Sequence, residues 1–186
     1  GKSVGGLTAA TSLGVASTAG DPNGYPAFSW DVVAGLIPGS IGETSVIAIA
    51  LGAIILLWTG VASWKTMFSV FAGGIVMGLI FNVFGSTDNM MAQLPWYEHI
   101  VLGGFCFGAV FMATDPVTSA RTEKGKFIYG FLIGVMAIVI RVLNPGYPEG
   151  MMLAILLMNI FAPLIDYCIV QKNITARENR LKSTNN

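Results

Sequence analysis

Two carboxylates stand out because apolar sequence surrounds them. Asp115 closes the run 107–114, and Asp166 lies in Ala162-Pro163-Leu164-Ile165-Asp166-Tyr167. An ionised group among hydrocarbon is costly, which makes each a functional candidate by default. Phe107, Phe111 and Asp115 recur every four residues, and on a helix that spacing sets two rings and a carboxylate in one row. Such a row reads as a dry constriction leading to a charged site. A hard cation takes oxygen ligands, which Thr114, Thr118, Ser119 and the carbonyls freed around Pro116 would supply. Each carboxylate also has a plainer reading. Asp115 would cap a helix beginning at Pro116, and Asp166 would be an interfacial group six residues before Lys172.

A second candidate is the turn Pro38-Gly39-Ser40-Ile41-Gly42-Glu43-Thr44-Ser45. As plain structure it starts a helix. As a site, glycines at a helix N-terminus leave backbone N–H groups facing an anionic group such as a phosphate. Asn82 and Asn159 read as hydrogen-bond glue between helices, and Trp96-Tyr97 with His99 as members of an interfacial aromatic belt. Cys106 and Cys168 lie in apolar runs as small packing residues. No CxxC or Cys/His cluster is present, so an intrinsic zinc or iron–sulfur site is not expected. No side-chain constellation for catalysis is found.

The elements that must hold these groups follow from composition. The 186 residues are 54% hydrophobic and 11% charged, with a mean hydropathy of +0.69. A soluble domain carries roughly 25% charged residues, so the chain reads as a polytopic, all-α membrane protein rather than a soluble or disordered one. Acids and bases balance at 10 each, and nothing points to nucleic acid. Five stretches are candidate spans: 46–64, 67–84, 100–114, 127–143 and 151–170. A straight crossing needs about 20 residues. The third is short and runs into Asp115-Pro116, as a helix broken within the membrane would.

Charge orients the bundle. Lys65, then Arg121, Lys124 and Lys126, then the tail with Lys172, Arg177, Arg180 and Lys182 alternate with connections 85–99 and 144–150, which hold acids and no Lys or Arg. The positive-inside rule then puts the tail in the cytoplasm and residues 1–45 outside. Arg141 is an exception, expected to reach the interface from a span end. The layout expected is an outer segment 1–45, a membrane unit 46–170 and a cytoplasmic tail 171–186. GxxxG pairs at Gly74–Gly78, Gly104–Gly108 and Gly130–Gly134 imply close helix packing, with one or two of them open to a reading as space for a flat ring or a permeant.

Four stretches carry a resemblance. Residues 38–45, Phe111-Met112-Ala113-Thr114-Asp115-Pro116-Val117-Thr118-Ser119, residues 140–152 with Tyr147-Pro148-Glu149-Gly150-Met151-Met152, and residues 159–166 with Asn159-Ile160-Phe161-Ala162-Pro163 closely resemble the B-type subunits of the sodium-translocating NADH:quinone oxidoreductases. The related D-type subunit of the Rnf ferredoxin:NAD oxidoreductases shares the first and last. The resemblance implies one five-span half of a urea-transporter-like two-repeat fold, here the C-terminal half, which agrees with a chain that begins at Gly1. It also implies FMN joined through its phosphate to a threonine. Gly5-Gly6-Leu7-Thr8-Ala9-Ala10-Thr11 is similar to the family's attachment pattern, departing at Gly5 and Ala9; Thr11 is the expected acceptor and Thr8 the alternative. Gly39, Ser40, Gly42 and Glu43 are the further cofactor-binding candidates.

The function implied is a membrane subunit of a redox-driven sodium pump. It would take electrons from NADH by way of another FMN-carrying subunit and pass them through its own FMN and riboflavin towards quinone. Phe107, Phe111, Asp115 and Asp166 match positions on the sodium route, the rings as a gate. Its partners would be the other subunits, quinone and lipid, in a bacterial inner membrane. A cofactor-free channel half with a urea-transporter-like fold is the alternative from another class.

Overall fold

The computed structural model describes residues 13, 30–37, 39, 42–85, 90–144 and 149–184. Among them all regular structure is helical. A short helix α1 (Trp30–Ala34) precedes α2 (Val46–Trp58). The helices α3 (Trp64–Phe84), α4 (Met90–Gln93) and α5 (Trp96–Val101) follow. Next come α6 (Phe105–Phe107), continued by a π-helical turn over Gly108–Met112, then α7 (Glu123–Leu143) and α8 (Met151–Thr184). Three of these, α3, α7 and α8, are long and apolar enough to cross a membrane. The described residues are therefore those of a helical membrane protein.

Helix ends explain where apolar sequence stops being one helix. Ser45 caps α2, its Oγ accepting from the Ala48 N–H at 3.3 Å. The helix ends after 13 residues, short of the expected run 46–64. Thr59 Oγ1 donates back to the Ile55 carbonyl at 2.9 Å, and Gly60 turns the chain at φ +71°, a conformation that costs glycine little. At ~1.5 Å per residue α2 covers about 20 Å, less than the ~30 Å hydrocarbon layer. Trp64 accordingly begins α3 instead of closing the span before it.

The expected third span, 100–114, is broken twice. Besides the end near Asp115, the chain leaves helix at Leu102, Gly103 and Gly104, with Gly103 at φ +68°. Hydropathy sums over both pieces and cannot register a glycine's φ.

The core lies where this broken segment meets α3, α7 and α8: Val70, Phe105, Ala109, Tyr129, Ile133, Ile138 and Ala154 are all fully buried. Glycine sets the closest approach. A Cβ on Gly134 would come 2.6 Å from the Gly74 backbone nitrogen, and one on Gly130 would come 2.7 Å from the Thr66 carbonyl oxygen. The pair on α7 thus permits backbone contact with α3. The other two GxxxG pairs receive side chains: Phe105 on Gly74, Met151 on Gly108, and Glu43 on Gly104, while Gly78 lies on Trp96. On α8 the helix runs through Pro163 to Thr184, about 51 Å in length at ~1.5 Å per residue, and its residues 171–183 are exposed. Asn159 accepts from the Tyr129 hydroxyl at 2.5 Å, tying α8 to α7.

The two ends differ. At one, Lys65 pairs with Glu123, Lys126 reaches the same carboxylate at 2.9 Å, and the Arg121 N–H donates to Asp166 Oδ2 at 2.7 Å. At the other, Asn82 Nδ2 donates to the Leu94 carbonyl at 2.6 Å, and Arg141 Nη1 to the His99 carbonyl at 2.5 Å. The lysine- and arginine-bearing connections before α3 and before α7 therefore share an end.

Two sequence expectations change here. Arg141 is fully buried, as is His99; both are packed inside the bundle, where Arg141 donates to the His99 carbonyl from distant sequence. Trp96 and Tyr97 stay partly exposed beside them. Cys106 is a buried packing residue as expected, whereas Cys168 stands exposed on α8.

Candidate functional site

The phenylalanines and Asp115 occupy the second piece of the broken segment. Helix α6 is three residues long before the backbone widens into the π turn, closed by the Ala113 N–H on the Gly108 carbonyl at 2.8 Å. A π turn inserts a residue per turn and leaves a carbonyl for another donor. The Thr114 hydroxyl donates to the Val110 carbonyl at 2.6 Å. Across this turn the Phe107 and Phe111 rings meet, centroids 5.0 Å apart and tilted by 42°, within the favourable range for aromatic pairs. The tip of the Phe111 ring also rests on Gly52 of α2, where a Cβ would come 2.5 Å from ring carbon Cζ. The rings thus meet as the spacing implies, but the row does not continue as a helix.

Asp115 lies beyond the π turn and starts no helix at Pro116; the next begins at Glu123. Its Oδ1 accepts from the Val117 N–H at 3.2 Å, and its Oδ2 accepts from the Thr118 hydroxyl at 2.7 Å and the Thr118 N–H at 3.3 Å. Its own carbonyl accepts from the Ser119 N–H at 3.1 Å. This is the local turn that an aspartate closes with its side chain. The Thr118 hydroxyl, with the N–H groups of Val117 and Thr118, holds the Asp115 carboxyl below the ordinary range.

Asp166 binds a different set. Its Oδ1 takes the Thr122 hydroxyl at 2.5 Å and the Thr122 N–H at 3.0 Å, and its Oδ2 takes the Arg121 N–H. It latches α8 to the entry of α7, where Thr122 in turn caps the helix through the Gly125 N–H at 3.1 Å. Gly125 is glycine for a reason: a Cβ would stand 2.6 Å from Asp166 Oδ1. The two carboxylates flank one loop, 115–122, without sharing a partner. Among the described residues no three His, Cys, Asp or Glu side chains converge on a metal position.

The glycine turn before α2 is described in part. Gly42 has φ +85°, and a Cβ on Gly39 would meet the Thr44 methyl. Ser45 rather than a glycine nest caps α2. The Glu43 carboxyl packs on Gly104, where a Cβ would collide with it. Glu149 Oε2 accepts from the Gly104 N–H at 3.0 Å, on the same turn. The described part of the turn thus brings a carboxylate against Gly104. Thr11, Thr8 and Ser40 lie outside the described residues.

Reading by sequence missed the cluster around Gly103–Gly104. There Glu43 and Glu149, from the turns before α2 and α8, come together with buried Arg141 of α7. The signal was present: adjacent glycines within an apolar run, and a lone arginine in an apolar helix.

Comparisons with known proteins agree with the resemblance. The family model described as NQR2, RnfD, RnfE matches residues 2–175. The chain is 53% identical over 176 residues to the B-type subunit of the Na(+)-translocating NADH-quinone reductase of Chromohalobacter salexigens, covering 94% of the chain and 43% of that protein. The corresponding subunit of Klebsiella pneumoniae is 55% identical over 157 residues, covering 84% and 38%. That of Pseudomonas paraeruginosa is 51% identical over 177 residues, covering 94% and 44%. The chain spans about two-fifths of the length of these relatives. With nearly its whole length matched, the chain belongs to the NQR2, RnfD, RnfE family.

Proposed function

We propose that the chain works as a membrane subunit of a sodium-translocating NADH:quinone reductase in a bacterial inner membrane. Electrons from NADH reach it by way of another FMN-carrying subunit and leave towards quinone, while sodium crosses. The observation that carries this reading is the identity of 51–55% to three proteins named as the B-type subunit of such reductases, joined to a helical membrane fold. The D-type subunit of an Rnf complex is the second reading, favoured by a family model that spans both kinds; the names of these three relatives weigh against it.

In this reading the chain is one half of a two-repeat, urea-transporter-like fold and crosses the membrane five times, with the short α2 and the broken third segment as two of the crossings. Residues 1–45 form the outer flavin-attachment segment, 46–170 the membrane unit and 171–186 a cytoplasmic tail. Thr11 supplies the hydroxyl that bonds the FMN phosphate, with Thr8 the alternative, and riboflavin and quinone are shared with the rest of the complex. The flavin, when bound, supplies the electron transfer. The chain's own contribution lies around the broken segment. Phe107 and Phe111 narrow the route, and Asp115, held ionised by its turn, favours a cation beside them. Asp166 acts on the same route from the far side of loop 115–122.

The test is a denaturing gel of the protein co-expressed with its flavin-attaching enzyme. A fluorescent band that Thr11→Ala abolishes supports the reading; a band that persists in Thr11→Ala and disappears in Thr8→Ala moves the attachment. No fluorescence in the parent chain overturns the FMN assignment and favours a cofactor-free channel.

A further inference from the structure

A cleft of about 390 Å³ opens at the lysine-rich end, between the turn that joins α2 to α3 and the loop that enters α7. Lys65, Arg121, Lys126 and Glu123 line it, with Trp64 and Ser119. Three cations face one carboxylate, which leaves a surplus of positive charge. Glu123 is shared between Lys65 and Lys126, so it cannot neutralise both. Asp166 stands behind the Arg121 backbone, accepting from that N–H and from Thr122, and its charge offsets part of that of Arg121, which leaves a smaller surplus that is still positive.

The cleft also sits at a boundary. The Lys65 ammonium lies 5.9 Å from the Trp64 ring centre and 6.0 Å from that of Phe127. These two rings meet edge to face at 6.1 Å, and both are exposed on the apolar perimeter. Exposed aromatics beside cations mark the level where hydrocarbon gives way to headgroups. Charge alternation along the sequence assigns this end to the cytoplasm, the side where anionic lipid headgroups meet basic pockets between helices.

We propose that this cleft holds the phosphate of an anionic phospholipid from the cytoplasmic leaflet, with its acyl chains descending past Trp64 and Phe127. Lys65 and Lys126 meet the phosphodiester, Arg121 closes over it from the loop, and the Ser119 hydroxyl serves the polar end of the headgroup. Because loop 115–122 forms one wall, the bound lipid steadies the loop that carries Asp115. The inference rests on the cleft and the charge alternation, and stands apart from the flavin assignment.

Native mass spectrometry of the purified membrane protein tests it, titrating phosphatidylglycerol, phosphatidylcholine and inorganic phosphate separately. Phosphatidylglycerol should bind at least about tenfold more tightly than phosphatidylcholine, and Arg121→Gln should weaken it by about fivefold, the effect of one basic residue near a charged surface. Glu123→Gln should tighten binding, an effect opposite in sign to that of a damaged fold. Lys172→Gln with Lys182→Gln, on the exposed part of α8, should leave it unchanged. Equal binding of the two lipids overturns the proposal, as does an Arg121→Gln variant that binds like the parent. Displacement of phosphatidylglycerol by inorganic phosphate at matching concentration also overturns it, in favour of a soluble anion.

Discussion

At the lysine-rich end of the bundle, charged groups meet in the open: Glu123, its side chain 63% exposed, bridges Lys65 and Lys126. At the opposite end Arg141 and His99 are fully buried and Glu98 is 5% exposed, with the Gly103–Gly104 turn and Glu149 close by. Water screens the first set and leaves each pair worth little. The second set is shut away from water, so removing the Arg141 cation strands the groups it faces. The same residue types therefore do different work at the two ends. Those at the exposed end can tune binding, whereas those at the buried end hold the broken segment against α7.

The largest expected effect breaks the buried end. Arg141→Met should destabilise the fold by about 3 kcal/mol or more, because Glu149 and the His99 carbonyl lose a buried cation. Thermal unfolding in detergent measures it. A double variant, Arg141→Met with Glu149→Gln, should recover part of the loss; strict additivity would show that the two do not interact.

Gly134→Val comes next. Its side chain would drive into the α3 backbone at Val70 and Gly74, costing about 1–3 kcal/mol as overpacking does. The same change at Gly42, where a Cβ meets nothing within 4 Å, would strain the backbone at φ +85° without touching helix packing, so cross-linking between α3 and α7 should respond to the first alone.

A smaller effect is expected for Asp166→Ala. The Arg121 and Thr122 groups would lose their acceptor, at about 1–2 kcal/mol, read as faster proteolysis of loop 115–122. Lys65→Gln should cost the least, within about 1 kcal/mol. A Lys65→Gln loss as large as that of Arg141→Met would erase the distinction between the two ends.

Much of this organisation is legible in the sequence. Alternating Lys and Arg separate the connections, and the shortness of 100–114 announces a broken segment ahead of Asp115. Asn159 is recognisable as interhelical glue. What escapes are features decided by one backbone angle or by distant partners. The stop after Trp58 depends on Thr59 and on Gly60 at positive φ, and the second break on Gly103, neither of which alters hydropathy. Sequence places Arg141 at the interface because its partner, the His99 carbonyl, lies 42 residues away. Asp115 reads either as an ion ligand or as a helix cap; locally it closes a turn, since no helix starts at Pro116. The helical continuation of α8 to Thr184 is hidden by its charge.

The most direct measurement is the sodium dependence of quinone reduction by the reassembled complex carrying Asp115→Asn. Asparagine serves nearly as well as aspartate in capping-type turns; its single amide oxygen can keep both Thr118 bonds, so the charge is removed at the cost of the Val117 bond alone. The account predicts that the sodium concentration for half-maximal rate rises by about tenfold or more, with the covalent flavin band intact. An unchanged sodium dependence would contradict it and leave Asp115 as the closure of a turn.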